Sequence, residues 1–249
     1  MDEYTKIFRS VCADINKLNQ LNPFYNFKIT RGMCADRLGN TIFPYGQVAE
    51  EQIASYCYDY SRSRVLELIA KELEENCIDG AIAEVGVYRG EFACLLNRLF
   101  PSKKLYLFDT FEGFSEEQIS DEKDSGYAED SFLQRIGRFA ETNIDLVLSK
   151  MQSPDSCIVK KGFFPQTAAN IDEKFCLVSI DADFYRTTMD ALNFFIPRMT
   201  GGGYLFMHDY NEDELSGVKA AVKDYEKTHG RLSKVPLSDF GGTLAVSMP

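Results

Sequence analysis

The sequence predicts an α/β fold built around a mostly parallel β-sheet with helices on both faces. Short apolar runs of strand length alternate with segments of helical periodicity over residues 81–229. A turn with two glycines follows the first run, and a hairpin pattern ends the sequence. Polar side chains follow each strand-like run, at the edge where open α/β sheets bind ligands. That edge is the expected place of function.

Residues 1–76 are predicted to form a helical cap or dimerisation arm on a core domain of residues 77–249. Apolar residues recur at helical spacing near the amino terminus and again over 48–76, and glycines and a proline between them indicate a loop at 31–46. An alternative is that Phe43-Pro44-Tyr45-Gly46 in this loop closes over a ligand.

The segment 81–90, AIAEVGVYRG, is the central feature of the sequence. It predicts a buried strand, a tight turn at Gly86 and a helix that begins after Gly90. Both glycines let the backbone approach a ligand, and the free N–H groups of the new helix point toward it. Tyr88 stands where the dinucleotide-binding fingerprint needs a glycine. The pattern E-x-G-x-x-x-G, which starts at Glu84, is instead typical of enzymes that use S-adenosylmethionine (SAM).

A second strand is predicted at 104–108, and Asp109 follows it directly. An acid at this strand end, about twenty residues past the glycine turn, is placed to accept both hydroxyls of a nucleoside ribose. The alternative is that Asp109 caps a turn. Residues 112–130 are rich in acids, glycine and serine and are predicted to form a long lid loop at the ligand edge. A short helix is expected over 131–141.

Strands, helices and a final hairpin alternate through the rest of the domain. They are expected at 157–161, 175–180, 187–198, 204–207, 215–229, 232–237 and 243–248. Gly162 and Phe163 follow the first of these strands, and the ring of Phe163 or Phe164 could stack on an adenine. The alternative is a structural turn capped by Thr167.

Asp181, Asp183, His208 and Asp209 follow two successive strands, which are often adjacent in a sheet. Together they suggest either a divalent metal site or an acid–base pair. Carboxylates alone suit Mg²⁺, whereas a histidine shifts the preference toward Mn²⁺, Fe²⁺ or Zn²⁺, or leaves His208 free as a base. His229 lies near a predicted helix end and is expected to have no such role.

Composition narrows the class of partner and the compartment. The formal net charge of −11, with no local basic cluster, argues against nucleic acid or an anionic membrane as the main partner. Seven irregularly spaced cysteines without a C-x-x-C pair are typical of reduced thiols. No signal-peptide pattern and no membrane-spanning run is present. A cytoplasmic protein without a membrane partner is expected.

Six motifs occur in the order seen in the TylF/MycF-type O-methyltransferases, a family that includes the macrocin O-methyltransferase. They are EVGVYRG, DTFEGF, GFFPQT, IDADFY, GGGY and HDYN. The chain resembles this family over residues 40–249. The resemblance implies a class I SAM-dependent methyltransferase fold and methyl transfer to a hydroxyl, typically on a sugar of a natural product. It also implies a divalent metal, Mg²⁺ or Mn²⁺, chelated by neighbouring hydroxyls of the substrate.

The resemblance also implies roles for individual residues. From the methionine part of SAM through its ribose to its adenine, the expected contacts are Glu84, Gly86, Tyr88, Gly90, Asp109, Phe111, Gly162 and Phe163. Asp181 is expected both to contact SAM and to be a metal ligand, and His208 and Asp209 are the other expected metal ligands.

The sequence departs from the family pattern in two places. The family usually has Asp-Asp where this chain has His208-Asp209, so an imidazole replaces one acidic ligand. Relatives also use a histidine base between the second and third strands, where this chain has none. The base is then His208, a carboxylate, or a hydroxyl whose pKa a metal lowers. In-line SN2 transfer is the expected reaction, with Asp181 and His208 as catalytic residues and positioning as a main source of rate.

Other functions fit part of the sequence. A NAD-dependent oxidoreductase would share the fold and the ribose acid, but the second glycine of its fingerprint and an obvious tyrosine–lysine pair are missing. A catalytically inactive SAM- or nucleotide-binding scaffold would need no polar side chains at the fourth and fifth strands. The acceptor could also be a sugar of a polysaccharide or glycolipid. A homo-oligomer, dimeric or larger, is expected.

Overall fold

The computed structural model describes residues 3–21, 60–239 and 241–249. The strands are β1 (Ala81–Val85), β2 (Leu105–Asp109), β3 (Cys157–Lys161), β4 (Phe175–Ile180), β5 (Met199–Met207), β6 (Lys234–Pro236) and β7 (Leu244–Ser247). The α-helices are α1 (Glu3–Leu21), α2 (Tyr60–Glu75), α3 (Glu91–Leu99), α4 (Glu116–Asp124), α5 (Asp130–Leu133), α6 (Ile144–Ser149), α7 (Tyr185–Phe195) and α8 (Ser216–His229). Short 3₁₀ turns lie at Ile136–Ala140, Pro154–Ser156, Gln166–Ala168 and Ile196–Arg198.

The strands form a seven-stranded sheet of order β3-β2-β1-β4-β5-β7-β6. Strands β1 to β5 are parallel, β7 is antiparallel to β5, and β6 pairs with β7 as a hairpin. The predicted mostly parallel α/β sheet with a C-terminal hairpin is confirmed. The strand order reverses between β1 and β4, and such a switch point opens a crevice at the carboxyl ends of the strands.

The register brings the carboxyl ends of four strands level at this crevice. Val85 of β1 pairs with Phe108 of β2 and with Ile180 of β4, and Ile180 pairs with Met207 of β5. The residues that come next along the four strands therefore share one edge. They are Gly86, Asp109, Asp181 and His208.

Helices cover both faces of the sheet because each face is apolar. On one face, Phe195 of α7 and Val222 of α8 are fully buried with the sheet residue Ile180. On the other face, Leu66 of α2 and Leu96 of α3 are fully buried in a second cluster with sheet residues. Helix α2, from the segment expected to be a cap or arm, thus packs against this face of the sheet.

Strand β5 begins earlier than predicted, at Met199, because the three glycines before Tyr204 continue the strand. A Cβ at Gly203 would lie 2.8 Å from the carbonyl oxygen of Cys176 in β4, and one at Gly201 would lie 2.9 Å from the carbonyl oxygen of Pro249. Glycine here permits close approach of neighbouring backbone within the sheet.

The lid loop predicted at 112–130 contains helix α4 and is not a continuous loop. The N–H of Gln118 donates to Oγ of Ser115 at 3.2 Å, and the N–H of Ser115 donates to Oε1 of Gln118 at 3.1 Å. This capping box favours a helix where apolar content is low. The helix expected over 131–141 is also shorter, because α5 ends at Leu133 and a 3₁₀ turn follows. The lid role of the segment stays a prediction.

The same segment is docked onto the starts of α7 and α8. Phe132 of α5, two residues beyond the segment, is buried with Phe184 and Leu215, which directly precede these two helices. Glu122 of α4 is 3% exposed, and its two carboxylate oxygens accept from the N–H of Tyr185, at 3.0 and 3.1 Å, in the first turn of α7. Burial raises the pKa of Glu122 to about 7, although the N–H of Tyr185 acts in the opposite direction.

Replacing Glu122 with glutamine should remove part of the pH dependence of stability. Between its ordinary pKa of 4.5 and its pKa of about 7 in the folded protein, Glu122 holds a proton that the unfolded chain has released. The free energy of unfolding of the wild type therefore falls as the pH rises through this window, by about 3 kcal/mol at most. The free energy of unfolding of the wild type minus that of the variant, both measured by urea denaturation, should therefore also fall as the pH rises through this window. A difference that stays constant from pH 4.5 to 7 would contradict the assignment, and Glu117→Gln, exposed on the same helix, is the control.

Some predictions fall outside the described residues. They are the loop at 31–46, its segment 43–46, and the part of the second predicted helix before Tyr60. Within the described ranges, no helix combines the length and the apolar character that a membrane crossing requires.

Candidate cofactor site and active site

The turn after β1 brings two strand ends into backbone contact. Gly86 has a φ of 83°, and a Cβ there would lie 1.8 Å from the carbonyl oxygen of Asp181, which follows β4. Only glycine fits both this dihedral angle and this space. Tyr88 and Gly90, with φ of 49° and 80°, complete the turn, and Gly90 is the N-cap residue of α3. The glycine turn is therefore packed directly against Asp181.

Asp109 holds this turn in place. One of its carboxylate oxygens accepts from the N–H of Val87 at 2.7 Å and of Tyr88 at 2.8 Å, and the other accepts from the N–H of Phe111 at 2.6 Å. A carboxylate has about four acceptor positions, so that about one is left for a further donor. Asp109 thus caps a turn, as the alternative interpretation of the sequence predicted. The ribose contact stays a prediction.

Glu84 lies in β1 directly below the turn, at 2% exposure, and its Oε2 accepts no hydrogen bond from the described residues. Burial raises the pKa of Glu84 well above its usual range, the charge of Asp181 adds to this effect, and Arg62 opposes it. A buried acceptor without a donor is costly. A ligand that donates a hydrogen bond here would relieve that cost.

A cavity of about 520 Å³ opens beside the ends of β2 and β3. It is lined by Thr110, Glu112, Gly113, Phe114, Ser115, Lys161, Gly162 and Phe163. Phe163 is 45% exposed, which leaves its ring free for stacking. Of the residues predicted around an adenine, Gly162 and Phe163 line this cavity, whereas Phe111 is buried in the core. Phe164, the other candidate for stacking, is buried against Phe108.

Asp181, His208 and Asp209 converge beside the glycine turn. Nδ1 of His208 lies 3.1 Å from Oδ1 of Asp181 and 2.9 Å from Oδ1 of Asp209. The ligand atoms of the three side chains lie within 4.8 Å of one another. Despite these distances, Nδ1 makes no hydrogen bond of acceptable geometry with the described residues. Carboxylate oxygens and an imidazole nitrogen that lie this close, with Nδ1 left without a hydrogen bond, are arranged as the ligands of a cation are.

The charges in this cluster depend on one another. Burial would lower the pKa of His208, but the carboxylates of Asp181 and Asp209 raise it well above its usual range. Burial would raise the pKa of Asp181, but His208 and then Arg62 lower it to about 2. Asp183 is also buried beside the cluster, and burial together with Asp209 and Asp181 raises its pKa well above the usual range.

The hairpin contributes a wall of the site that was not predicted. A Cβ at Gly241 would lie 2.5 Å from Cε1 and 2.7 Å from Nε2 of His208, and 2.6 Å from Oδ1 of Asp209. The other histidine, His229, lies in α8 and stacks on Tyr225 with a centroid separation of 4.2 Å.

Arg62 of α2 is the second contributor that the sequence did not predict. It is 6% exposed, and both of its terminal guanidinium nitrogens lie 3.4 Å from Oδ2 of Asp181. A signal was present in the sequence, because Arg62 begins the helical stripe that continues with Leu66, Ile69 and Leu73. A charged residue on an apolar stripe is buried with it, and so needs a buried partner.

Comparison with known proteins places the chain in a family. The family described as macrocin-O-methyltransferase (TylF) matches residues 54–243. The 8-demethyl-8-(2,3-dimethoxy-alpha-L-rhamnosyl)-tetracenomycin-C 4'-O-methyltransferase of Streptomyces olivaceus is 24% identical over 182 residues, which cover 67% of this chain and 64% of that protein. The mycinamicin III 3''-O-methyltransferase of Micromonospora griseorubida is 25% identical over 169 residues, which cover 61% and 63%. The chain thus spans somewhat less than two thirds of the length of these relatives.

Solved structures share the fold. The O-methyltransferase NovP superposes with a TM-score of 0.67 at 18% identity, over 78% of this chain and 82% of that one. The calicheamicin methyltransferase CalS11 superposes with a TM-score of 0.56 at 17% identity, over 75% and 78%. The fold is that of the class I SAM-dependent methyltransferases, and the chain belongs to the macrocin-O-methyltransferase (TylF) family.

Proposed function

We propose that the protein is a SAM-dependent O-methyltransferase that transfers a methyl group to a hydroxyl of a small molecule or a sugar. The observation that carries the proposal is that the glycine turn at Gly86 meets Asp181, His208 and Asp209 at one edge of the sheet. Membership of the TylF family supports it. The names of the curated relatives, O-methyltransferases of a rhamnosyl tetracenomycin and of mycinamicin III, support it further.

The residues at the edge of the sheet fit SAM. When bound, SAM supplies an electrophilic methyl group, so the main task of the protein is to position it. Glu84 offers a buried acceptor to the ammonium group of the methionine part. Asp109 has about one acceptor position for a ribose hydroxyl. Gly162 and Phe163 line a cavity whose volume of about 520 Å³ lies within the usual range for small-molecule sites.

Asp181, His208 and Asp209 also fit a divalent cation, because two carboxylates and an imidazole suit Mn²⁺ and, less well, Mg²⁺. Such a cation would lower the pKa of a hydroxyl that it contacts. Nδ1 of His208 is turned to the two carboxylates and Nε2 lies beside Gly241. This orientation favours the ligand role of His208 over its role as the base.

Several broader expectations extend this proposal. The five cysteines that the structure describes carry free thiols, which supports a reducing, cytoplasmic location. The segment 112–130 is proposed to be the lid, and the protein is proposed to assemble as a homo-oligomer. The inactive scaffold is disfavoured by the convergent polar cluster. The NAD-dependent oxidoreductase is disfavoured by Tyr88 at the place of its second glycine.

Calorimetric titration of chelator-treated protein with SAM and with NAD tests the proposal. SAM should bind at micromolar level and NAD should give no heat. Mn²⁺ should bind more tightly than Mg²⁺, because one of the three ligands is an imidazole. The Asp181→Asn variant should lose most of the heat that metal binding produces in the wild type. A folded wild-type protein that binds no SAM in any metal state would refute the methyltransferase function.

A further inference from the structure

Arg62 connects the amino-terminal segment to the cluster of Asp181, His208 and Asp209. It comes from α2, 119 residues before Asp181 in the sequence. Its guanidinium lies over the ring of Phe92 at 3.8 Å from the centroid, and only 7% of its side chain is exposed. A planar guanidinium stacked on an aromatic ring has little freedom to move. Arg62 is therefore a fixed cation in the wall of the site.

The two oxygens of Asp181 have different partners. Both terminal nitrogens of Arg62 lie 3.4 Å from Oδ2, whereas Nδ1 of His208 lies 3.1 Å from Oδ1. The backbone of Asp181 is fixed as well, because its N–H donates to the carbonyl oxygen of Val85 at 2.8 Å. With the backbone and Oδ2 held, the remaining freedom of the carboxylate is small, and Oδ1 is kept toward His208 and Asp209.

The geometry points to a positioning role: we propose that Arg62 holds Oδ2 of Asp181 so that Oδ1 is presented, with His208 and Asp209, to a divalent cation. This inference rests on the proposed function. It makes α2 part of the active site, so that the catalytic unit begins before the glycine turn. Arginine suits the task because its charge does not depend on pH, whereas His208 must lose its proton to become a ligand.

The test is Mn²⁺ binding to chelator-treated Arg62→Met and Arg62→Lys, measured by calorimetry, with SAM binding and thermal unfolding measured in parallel. Methionine keeps the length and the apolar contact with Phe92 and removes the charge. Arg62→Met should bind Mn²⁺ about 10- to 100-fold more weakly, the usual effect of removing a group that orients a metal ligand. Arg62→Lys should recover part of this loss. SAM affinity should fall less than Mn²⁺ affinity, because Arg62 contacts Asp181 directly and acts on Glu84 only through its charge.

The opposite sign would overturn the inference. If Arg62 acts only as a positive charge near the cation, its removal reduces repulsion, and Mn²⁺ binding becomes tighter. A lower melting temperature with unchanged Mn²⁺ affinity would reduce Arg62 to a structural role and would also overturn it. The control is Arg64→Met, since Arg64 lies on the same helix, half exposed, and pairs with Glu67 at 2.5 Å. SAM binding by the wild type reports separately on the proposed function, and a wild type that binds SAM but no Mn²⁺ would reject this inference alone.

Discussion

Gly86→Ala is expected to lower the free energy of unfolding by about 3 kcal/mol or more and to abolish SAM binding. A methyl group at this position would lie 1.8 Å from the carbonyl oxygen and 2.7 Å from the carbonyl carbon of Asp181. Both atoms belong to the backbone, so β1 and β4 must separate at their carboxyl ends before the methyl group can fit. The φ of 83° adds strain for any residue with a side chain. Urea unfolding and SAM titration measure the two effects.

Gly126→Ala is the matched control for this variant. Gly126 also has a positive φ, of 69°, but among the residues that the structure describes no atom beyond its chain neighbours lies within 4 Å of the position of its Cβ. This variant therefore has the backbone strain without the clash and should lose only about 1 kcal/mol. An equal loss of unfolding free energy in the two variants would show that the clash with Asp181 adds nothing to the backbone strain, and would contradict the prediction.

His208→Ala is expected to lower the turnover of any acceptor that the wild type methylates by about 10²- to 10⁴-fold, because a ligand or a base is removed. It should also weaken Mn²⁺ binding. The metal-free variant should be less stable at neutral pH by about 3 kcal/mol, since Asp181 and Asp209 lose the imidazolium between them. Release of S-adenosylhomocysteine, Mn²⁺ titration and urea unfolding are the measurements.

His208→Asp separates the two roles of this residue. If His208 is a ligand, the aspartate replaces it, and turnover should recover to within about tenfold of the wild type in Mg²⁺. Failure to recover, with metal binding intact, would assign His208 as the base. His229→Ala should change neither turnover nor metal affinity, because His229 stacks on Tyr225 at the end of α8.

The strands could be predicted because a buried strand has a continuous run of apolar residues in the sequence. Phe175–Ile180 is buried at every position, and a run of six apolar or small residues is typical of a strand covered on both faces. Helix α4 was not predicted, for the opposite reason. Most of its residues are polar, and its start is marked only by the pair Ser115 and Gln118, which form two reciprocal hydrogen bonds. Such a signal is short, and it occurs by chance in many loops.

The polar cluster could be predicted because parallel strands place their ends together, so Asp181, His208 and Asp209 needed only the strand order. The contributions of Arg62 and Gly241 depend on how a helix and a hairpin pack against the sheet. Periodicity shows that a residue is buried, but it does not show which partner it meets across 119 residues. Contacts of this kind follow from tertiary packing alone.

Docking of the 112–130 segment has a thermodynamic consequence for ligands. Glu122 connects α4 to the first turn of α7, and α7 begins four residues after Asp181. A ligand that displaces this segment must also change the affinity of Glu122 for its proton. Displacement exposes Glu122 to water and lowers its pKa, so between pH 4.5 and about 7 the ligand releases a proton as it binds. Because linkage is reciprocal, its affinity then increases as the pH rises through this range. A buried carboxylate outside the cluster of Asp181, His208 and Asp209 would in this way make ligand binding responsive to acidity.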